Sequence, residues 1–256
     1  MTNPDLRRQA LNLLHTGVTN AEVARRLRVP SGTVGYWLHM ERFRHGELPG
    51  RRLAPCFRCH GDDLEIDRGS YAYLLGLYLG DGHIAAHPRT YSISIYCADA
   101  WPGLIRECAN AMSRVLPGPA PNFVPRPGCT DVKRYSQHLP CLFPQHGPGR
   151  KHERPIVLEP WQQDIVGAEP WALVRGLIHS DGCRIVNWTT KVVAGERKRY
   201  EYPRYLFANE STDIMRILGT TLDQLGVEWK FARRNLLSVA RRASVALMDR
   251  HVGPKY

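Results

Sequence analysis

Two related stretches of sequence decide the fold. Leu74-Leu-Gly-Leu-Tyr-Leu-Gly-Asp-Gly82 and Val174-Arg-Gly-Leu-Ile-His-Ser-Asp-Gly182 both run through apolar residues to an Asp-Gly pair. Each stretch holds two small residues four positions apart: Gly76 and Gly80 in the first, Gly176 and Ser180 in the second. Residues at that spacing share a helix face, and small side chains there allow two helix backbones to approach closely. Glycine inside a helix lowers the stability of the helix by about 1 kcal/mol relative to alanine. Its presence in both stretches therefore predicts that close packing between the two helices offsets this cost.

An aspartate follows the second small residue in both stretches. If the two helices pack side by side in parallel, Asp81 and Asp181 meet at one end of their interface. Two carboxylates brought together raise each other's pKa unless a cation lies between them. Mg²⁺ prefers oxygen ligands and retains bound water. We therefore predict a magnesium site at Asp81 and Asp181 that hydrolyses a phosphodiester with a metal-bound water.

Matching elements follow each aspartate, which indicates an internal repeat. The order is an apolar helix, a strand-like alternation and a second helix: Tyr71–Gly82, Tyr91–Tyr96 and Trp101–Leu116 in the first half, then Trp171–Gly182, Tyr205–Asn209 and Thr212–Leu225 in the second. Each half closes on a lysine, 151 − 81 = 70 and 255 − 181 = 74 residues after its aspartate. Two halves of similar length and order predict pseudo-twofold symmetry, and the short connections predict antiparallel sheets.

The paired stretches resemble the LAGLIDADG motif of homing endonucleases, in the single-chain form that carries two copies. The letters that match the motif are Leu74, Gly76, Leu77, Asp81 and Gly82 in the first copy and Gly176, Leu177, Ile178, Asp181 and Gly182 in the second. The earlier acidic position of the motif holds Leu79 and His179, and that position varies within the family. The resemblance covers residues 70–256.

The resemblance implies an α+β fold with two αββαββα halves, at about residues 70–156 and 157–256. Their antiparallel sheets would form a saddle in the DNA major groove, where every base pair presents a distinct pattern of donors and acceptors. It also implies that Asp81 and Asp181 are the catalytic acids. Basic residues lie near the scissile phosphates in this family, so we assign Lys151 and Lys255 a catalytic role. The alternative is that these lysines make ordinary phosphate contacts.

Residues 1–45 predict a small all-α domain with helix-turn-helix spacing. Asn20 is the expected N-cap of a second helix, while Val34 and Trp37 would anchor a third. Arg28 occupies a turn position that is often glycine. The candidates for DNA contact are Arg25, Arg26, Ser31, Thr33, Tyr36 and His39. The alternative is a three-helix packing unit without a DNA-binding role.

Residues 46–69 predict a linker that carries Cys56-x-x-Cys59. This pair would supply half of a zinc site, completed by His60 or by Cys129 and Cys141, because a structural zinc takes four ligands. An exposed thiol pair is the alternative. The apolar surroundings of three other cysteines favour core positions: Cys97, Cys108 and Cys183.

The composition favours a polyanionic partner. The chain has 256 residues with 35 Lys and Arg against 24 Asp and Glu, a formal net charge of +11. That surplus indicates double-stranded DNA as the partner. The sequence shows neither a membrane-spanning run nor a disulfide pattern, so we expect a cytoplasmic, nucleoid-associated monomer with reduced thiols.

The predicted function is site-specific cleavage of double-stranded DNA. The alternative is a transcriptional regulator that keeps the scaffold for binding only, since a helix-turn-helix joined to a LAGLIDADG unit also occurs in regulators. In those regulators the catalytic acids are typically degraded and the helix-turn-helix is C-terminal, whereas here both acids are present and it is N-terminal. An RNA maturase is a third reading, because maturases use the same fold to bind intron RNA.

Overall fold

The computed structural model describes residues 4–45, 56–59, 65–116 and 118–256. The chain forms two compact units that divide between residues 54 and 55. Much of the predicted linker, at residues 46–55 and 60–64, lies outside the described residues, and so does the candidate ligand His60. In the part of the chain that is described, no helix has the length and apolar character needed to cross a bilayer. The proposed boundaries at residues 45 and 69 stay predictions.

Three helices build the N-terminal unit: α1 (Pro4–His15), α2 (Asn20–Leu27) and α3 (Ser31–Arg44). Their core is formed by Ala10, Leu11, Val23, Val34 and Trp37. The expected N-cap was wrong by one residue. Thr19 caps α2, because its hydroxyl accepts a hydrogen bond of 3.3 Å from the backbone N–H of Glu22, and Asn20 is the first helical residue. Arg28 ends α2 with φ +53°, the left-handed conformation that favours glycine.

The first half of the C-terminal unit follows the αββαββα order. Its elements are α4 (Arg68–Leu79), β1 (Gly82–His87), β2 (Thr90–Ala98), α5 (Pro102–Val115), β3 (Asn122–Arg126), β4 (Cys129–Ser136) and α6 (Leu139–Leu142), and a 3-10 turn follows at Lys151–Glu153. Asp67 sets the start of α4, because its carboxylate accepts a 2.8 Å hydrogen bond from the Ser70 N–H. The helix therefore begins inside the predicted linker and ends at Leu79, before Asp81.

The second half repeats that order after one additional helix. Its elements are α7 (Pro160–Ala168), α8 (Pro170–Asp181), β5 (Gly182–Val193), β6 (Glu196–Ala208), α9 (Thr212–Gln224), β7 (Lys230–Arg233), β8 (Leu236–Val239) and α10 (Arg242–His251). Helices α7 and α8 both have proline near their start. Proline is favoured there because the first N–H groups of a helix have no partner within the helix, so the N–H that proline lacks costs no hydrogen bond.

The two sheets have the same antiparallel topology. Their strand orders are β1-β2-β4-β3 and β5-β6-β8-β7. The predicted fold class is confirmed: this is an α+β unit with two related αββαββα halves. The prediction for Cys183 was wrong, because this side chain is exposed on β5, whereas Cys97 and Cys108 are buried as expected.

Helices α4 and α8 lie at the centre of the C-terminal unit. Every residue of α4 from Tyr71 to Leu79 is buried. The largest fully buried side chains around the helix pair include Tyr71, Tyr78, Phe143 and Phe207. Because one continuous apolar core encloses both helices, their carboxyl ends are held in a defined place.

Candidate active site

The small residues of the two motifs lie between α4 and α8. A methyl group added to Gly76 would stand 2.6 Å from the Leu173 carbonyl oxygen, and one added to Gly176 would overlap the Tyr73 carbonyl oxygen. A methyl group on Gly80 would overlap the Ser180 hydroxyl. The helix backbones are therefore in direct contact, which is the packing that the four-residue spacing favours.

Asp81 and Asp181 come together where the two helices end. Asp181 is the last residue of α8, and Asp81 follows Gly80, the C-cap of α4. The two carboxyl groups are close enough that each one affects the pKa of the other.

Both carboxyl groups have raised pKa values. Burial raises the pKa of Asp181 to about 6, and the negative charge of Asp81 contributes in the same direction. Burial also raises the pKa of Asp81, although this side chain remains exposed on one side and the charges of Lys151 and Lys255 oppose the shift. A cation between the two carboxyl groups would oppose both shifts, because it favours the charged form of each group.

Lys151 lies against the carboxyl end of α4. Its ammonium group donates hydrogen bonds to the Tyr78 carbonyl oxygen at 2.6 Å, to the Gly82 carbonyl oxygen at 3.0 Å and to the Gly80 carbonyl oxygen. A cation at this end of a helix is favoured by the helix dipole. Burial lowers the pKa of Lys151 to about 8, so the group is mostly charged at neutral pH.

Lys255 holds the equivalent place in the second half. Its ammonium group donates a 3.2 Å hydrogen bond to the Ser180 carbonyl oxygen near the end of α8, and burial lowers its pKa. Of the two lysines, Lys151 has the larger effect on the pKa of Asp81, and it also lowers the pKa of Asp181.

Two cavities reach the aspartate pair, and a different aspartate lines each one. One has a volume of about 620 Å³, and its lining includes Asp181 and Lys151. The other has a volume of about 240 Å³, and its lining includes Asp81 and Lys255. Each cavity thus combines the aspartate of one half with the lysine of the other half.

Asn209 makes the two halves unequal. Its side-chain amide donates a 2.6 Å hydrogen bond to Asp181 Oδ2, which lowers the pKa of Asp181 against the larger effect of burial. The corresponding residue after β2 is Asp99, which accepts a 2.8 Å hydrogen bond from the Thr130 hydroxyl. Asn209 could not be identified from sequence, because a single asparagine directly after β6 belongs to no recognisable motif.

His179 occupies the motif position that departs from the family name. Its ring is buried, its Nδ1 lies 3.1 Å from the Tyr73 hydroxyl, and burial lowers its pKa to about 4. The ring is therefore neutral at physiological pH. Its Nδ1 also lies 3.8 Å from Glu107 Oε2, and the residue lines the smaller cavity together with Asp81 and Lys255.

A long basic hairpin extends from the second half. Strands β5 and β6 pair over twelve residues of β5 and are joined by the two-residue turn Ala194-Gly195, where both residues have positive φ. Lys191 and Lys198 stand directly opposite each other. Like charges at facing positions destabilise a hairpin, so a polyanion on this surface would relieve the repulsion. Only the end of β6 could be predicted from sequence, because Pro203 and several charged residues interrupt the apolar alternation.

The N-terminal unit exposes part of its candidate DNA surface. Ser31, Tyr36 and His39 are exposed on α3, and Thr33 is half-buried. Arg25 and Arg26 on α2 both form ion pairs with Glu22. Contact of these six residues with DNA stays a prediction.

A second group of polar side chains lies away from the aspartates. Four residues whose ligand atoms lie within 4.8 Å of one another could hold a metal ion, and we call them the Cys3His cluster: Cys56, Cys59, His138 and Cys141. Of the ligands considered from sequence, Cys141 joins the CxxC pair. Cys129 does not, because it lies at the start of β4 and lines the smaller cavity.

The sequence matches no protein-family model, and no curated protein matches it. Among solved structures it is similar to mesophilic variants of the homing endonuclease I-DmoI, with 18% identity, 73% of this chain and 92% of that chain covered, and a TM-score of 0.49. I-DmoI in complex with DNA and Mn has 13% identity and a TM-score of 0.45, with 74% of this chain and 98% of that chain covered. The LAGLIDADG meganuclease I-AabMI bound to uncleaved DNA has 10% identity and a TM-score of 0.45, with 71% of this chain and 83% of that chain covered. The chain is thus similar in structure to LAGLIDADG homing endonucleases over about three quarters of its length, and its own topology is the one expected from its two motifs.

Proposed function

We propose that this protein is a site-specific endonuclease that hydrolyses phosphodiester bonds of double-stranded DNA with a divalent metal. The observation that carries the proposal is the convergence of Asp81 and Asp181 at the ends of two closely packed helices. Each aspartate shares a cavity with a lysine of the other half. Two equivalent arrangements suit a substrate with two strands and two scissile phosphates.

The aspartate pair fits Mg²⁺. Its carboxylate oxygens are the ligands that this ion prefers, and a bound cation would favour the charged forms of two carboxyl groups whose pKa values burial raises. Asp81 and Asp181 would hold the ion. When bound, it would supply an activated water and charge stabilisation at the scissile phosphate.

The remaining residues of the site prepare this chemistry. Asn209 orients the Asp181 carboxylate by the hydrogen bond to Oδ2 and favours its charged form. Lys151 is fixed by three backbone carbonyl groups, so its positive charge stays beside the larger cavity. Lys255 presents the same charge at the smaller cavity. Fixed cations of this kind stabilise charge that develops on a phosphate during cleavage.

Several features support DNA as the partner. The chain carries a net charge of +11, and the β5–β6 hairpin adds exposed cations that could track the phosphate backbone. An antiparallel sheet can enter the major groove and contact base edges there. Since both halves belong to one chain, we propose that a monomer binds an asymmetric site.

Cleavage selection from a random library tests the proposal. The full chain is incubated with a library of double-stranded sites and Mg²⁺, and the cut products are sequenced. We expect one family of cleaved sites and no products from the variant Asp81→Asn/Asp181→Asn. A protein that selects sites by binding but cuts none with Mg²⁺ or Mn²⁺ would disprove the endonuclease.

A DNA-binding regulator is the second candidate. The observation that favours it is the N-terminal unit, where Ser31, Tyr36 and His39 are exposed on a helix with helix-turn-helix spacing. Sequence-specific binding without cleavage would support this function. Preferential binding of structured RNA over duplex DNA would instead favour a maturase.

A further inference from the structure

We propose that the Cys3His cluster binds one structural Zn²⁺ ion. Three cysteine thiols and one histidine ring come from two places in the sequence, the Cys56–Cys59 turn and the start of α6. Residues in each pair are three positions apart, as in Cys-x-x-Cys and His-x-x-Cys. Short pairs of this type, far apart in sequence, are the usual ligand arrangement of structural zinc.

The geometry is close to a tetrahedral site. With Zn–S about 2.3 Å and Zn–N about 2.0 Å, a tetrahedron places sulfur atoms about 3.8 Å apart and sulfur and nitrogen about 3.5 Å apart. In the structure Cys59 Sγ lies 3.2 Å from His138 Nδ1, and all four ligand atoms fall within 4.8 Å. Changes of up to about 1 Å in these separations would seat the ion.

The chemistry of the ligands selects the metal. Thiolates are soft ligands that favour zinc over Mg²⁺, and four protein ligands fill a zinc site without leaving a position for water. The ion is therefore structural and differs from the metal at the aspartates. Binding would release the three thiol protons to solvent, so the affinity for zinc rises with pH.

The cluster lies beside residues that support α4. Next to His138 and Cys141, helix α6 presents the Leu142 carbonyl oxygen, which accepts a 2.6 Å hydrogen bond from the Tyr71 hydroxyl. On the other side of the cluster, the Phe57 ring contacts Trp161 at 5.6 Å between ring centroids. A zinc ion would join the start of the C-terminal unit to the β4–α6 connection, about eighty residues later, and hold both against the motif helix. This role is independent of the proposed endonuclease activity.

Metal analysis of the full chain, purified without an affinity tag or chelator, tests the site. We expect one zinc per chain by mass spectrometry after gel filtration, and loss of that zinc in Cys59→Ser and Cys141→Ser. The variants Cys129→Ser and Cys183→Ser provide matched controls, because these residues lie outside the cluster, and they should keep one equivalent.

If the cysteine variants fail to fold, measurements on the wild-type protein still test the site. Cobalt exchanged into the wild-type protein should show the thiolate-to-metal absorption of a tetrahedral site, and chelation should lower the melting temperature of the C-terminal unit. Protein that contains no metal, holds iron in place of zinc, or has a Cys56–Cys59 disulfide would overturn the proposal. So would zinc that is lost equally from the Cys129→Ser and Cys183→Ser controls.

Discussion

Asn209 Nδ2 donates a 2.6 Å hydrogen bond to Asp181 Oδ2, and Asn209 Oδ1 accepts a 2.8 Å hydrogen bond from the Ser211 backbone N–H. The side chain is therefore held by the start of α9 while it orients one of the two aspartates. The corresponding residue of the first half, Asp99, is engaged with Thr130. The two aspartates have related positions but different surroundings, and their protonation should differ accordingly.

The variant Asn209→Ala should raise the pKa of Asp181 above about 6, because it removes a hydrogen bond that favours the charged carboxylate. A proton on Asp181 competes with the metal, so more Mg²⁺ will be needed for half-maximal cleavage as the pH falls. We expect this requirement to begin rising at a higher pH in the variant than in the wild type. The measurement is the Mg²⁺ dependence of cleavage between pH 5.5 and 8.5.

The control for this prediction is Asn235→Ala. Asn235 lines the same cavity but donates its side-chain hydrogen bond to Glu210. An unchanged pH dependence in Asn209→Ala, or an equal shift in Asn235→Ala, would show that Asn209 does not tune Asp181.

The metal-free protein should also lose stability as the pH rises from about 4 to about 6. The pKa of Asp181 is about 6 in the folded chain and 3.8 as the reference for an unperturbed aspartate. The folded state therefore binds more protons in this interval, and its free energy of unfolding falls as they dissociate. Urea unfolding in EDTA should show this slope in the wild type and a smaller slope in Asp181→Asn. A rising stability over the same interval in both proteins would contradict the assignment.

Because each cavity combines the aspartate of one half with the lysine of the other half, we predict that each lysine serves one DNA strand. Lys151→Met and Lys255→Met should each slow cleavage of a different strand by about 100-fold or more, the effect typical of losing a fixed group that stabilises developing charge. Both variants should then accumulate nicked DNA, and strand-specific labels should show the nick on opposite strands in the two variants. Lys191→Met, an exposed lysine of the hairpin, is the control for a general loss of charge. Equal slowing of both strands at saturating DNA would refute strand-specific roles. Wild-type cleavage rates in both variants would show that the lysines make ordinary phosphate contacts and have no catalytic role.

The helix interface predicts a penalty for adding one methyl group. Gly176→Ala should lower the free energy of unfolding by ~1–3 kcal/mol, because the new group would overlap the Tyr73 carbonyl oxygen and overpacking costs about that much. Gly167→Ala is the matched control, since its methyl group would have no neighbour within 4 Å and alanine favours helix by up to about 1 kcal/mol. Urea unfolding measures both. Equal effects of the two substitutions would contradict the close contact.

The helix pair could be predicted from sequence because its determinants are local. Gly76 and Gly176 share a helical spacing with a second small residue, and an aspartate follows at a fixed distance in each copy. Lys151 and Lys255 could likewise be predicted at equivalent ends of the two halves, because each follows its aspartate at a similar distance. Both lysines do lie at the helix ends beside the aspartates.

Features that depend on folding were missed. Asp181 lines the same cavity as Lys151 of the other half because of the way the two halves pack. No spacing in the sequence indicates that packing. His138 was overlooked as a metal ligand because it lies 79 residues from Cys59, and His60, directly beside the CxxC pair, was considered in its place. Thr19 and Asn20 can both cap a helix, and only the hydrogen bond to Glu22 distinguishes them.

The central claim is that Asp81 and Asp181 form one metal-dependent cleavage site, and single-turnover cleavage of a selected target at saturating protein tests it most directly. We predict that Asp81→Asn and Asp181→Asn each slow cleavage by about 1000-fold or more, since losing several kcal/mol of metal charge stabilisation costs tenfold in rate for each 1.4 kcal/mol or so. Both variants should bind the target as tightly as the wild type. Cleavage by Asp81→Asn/Asp181→Asn at the wild-type rate would contradict the account.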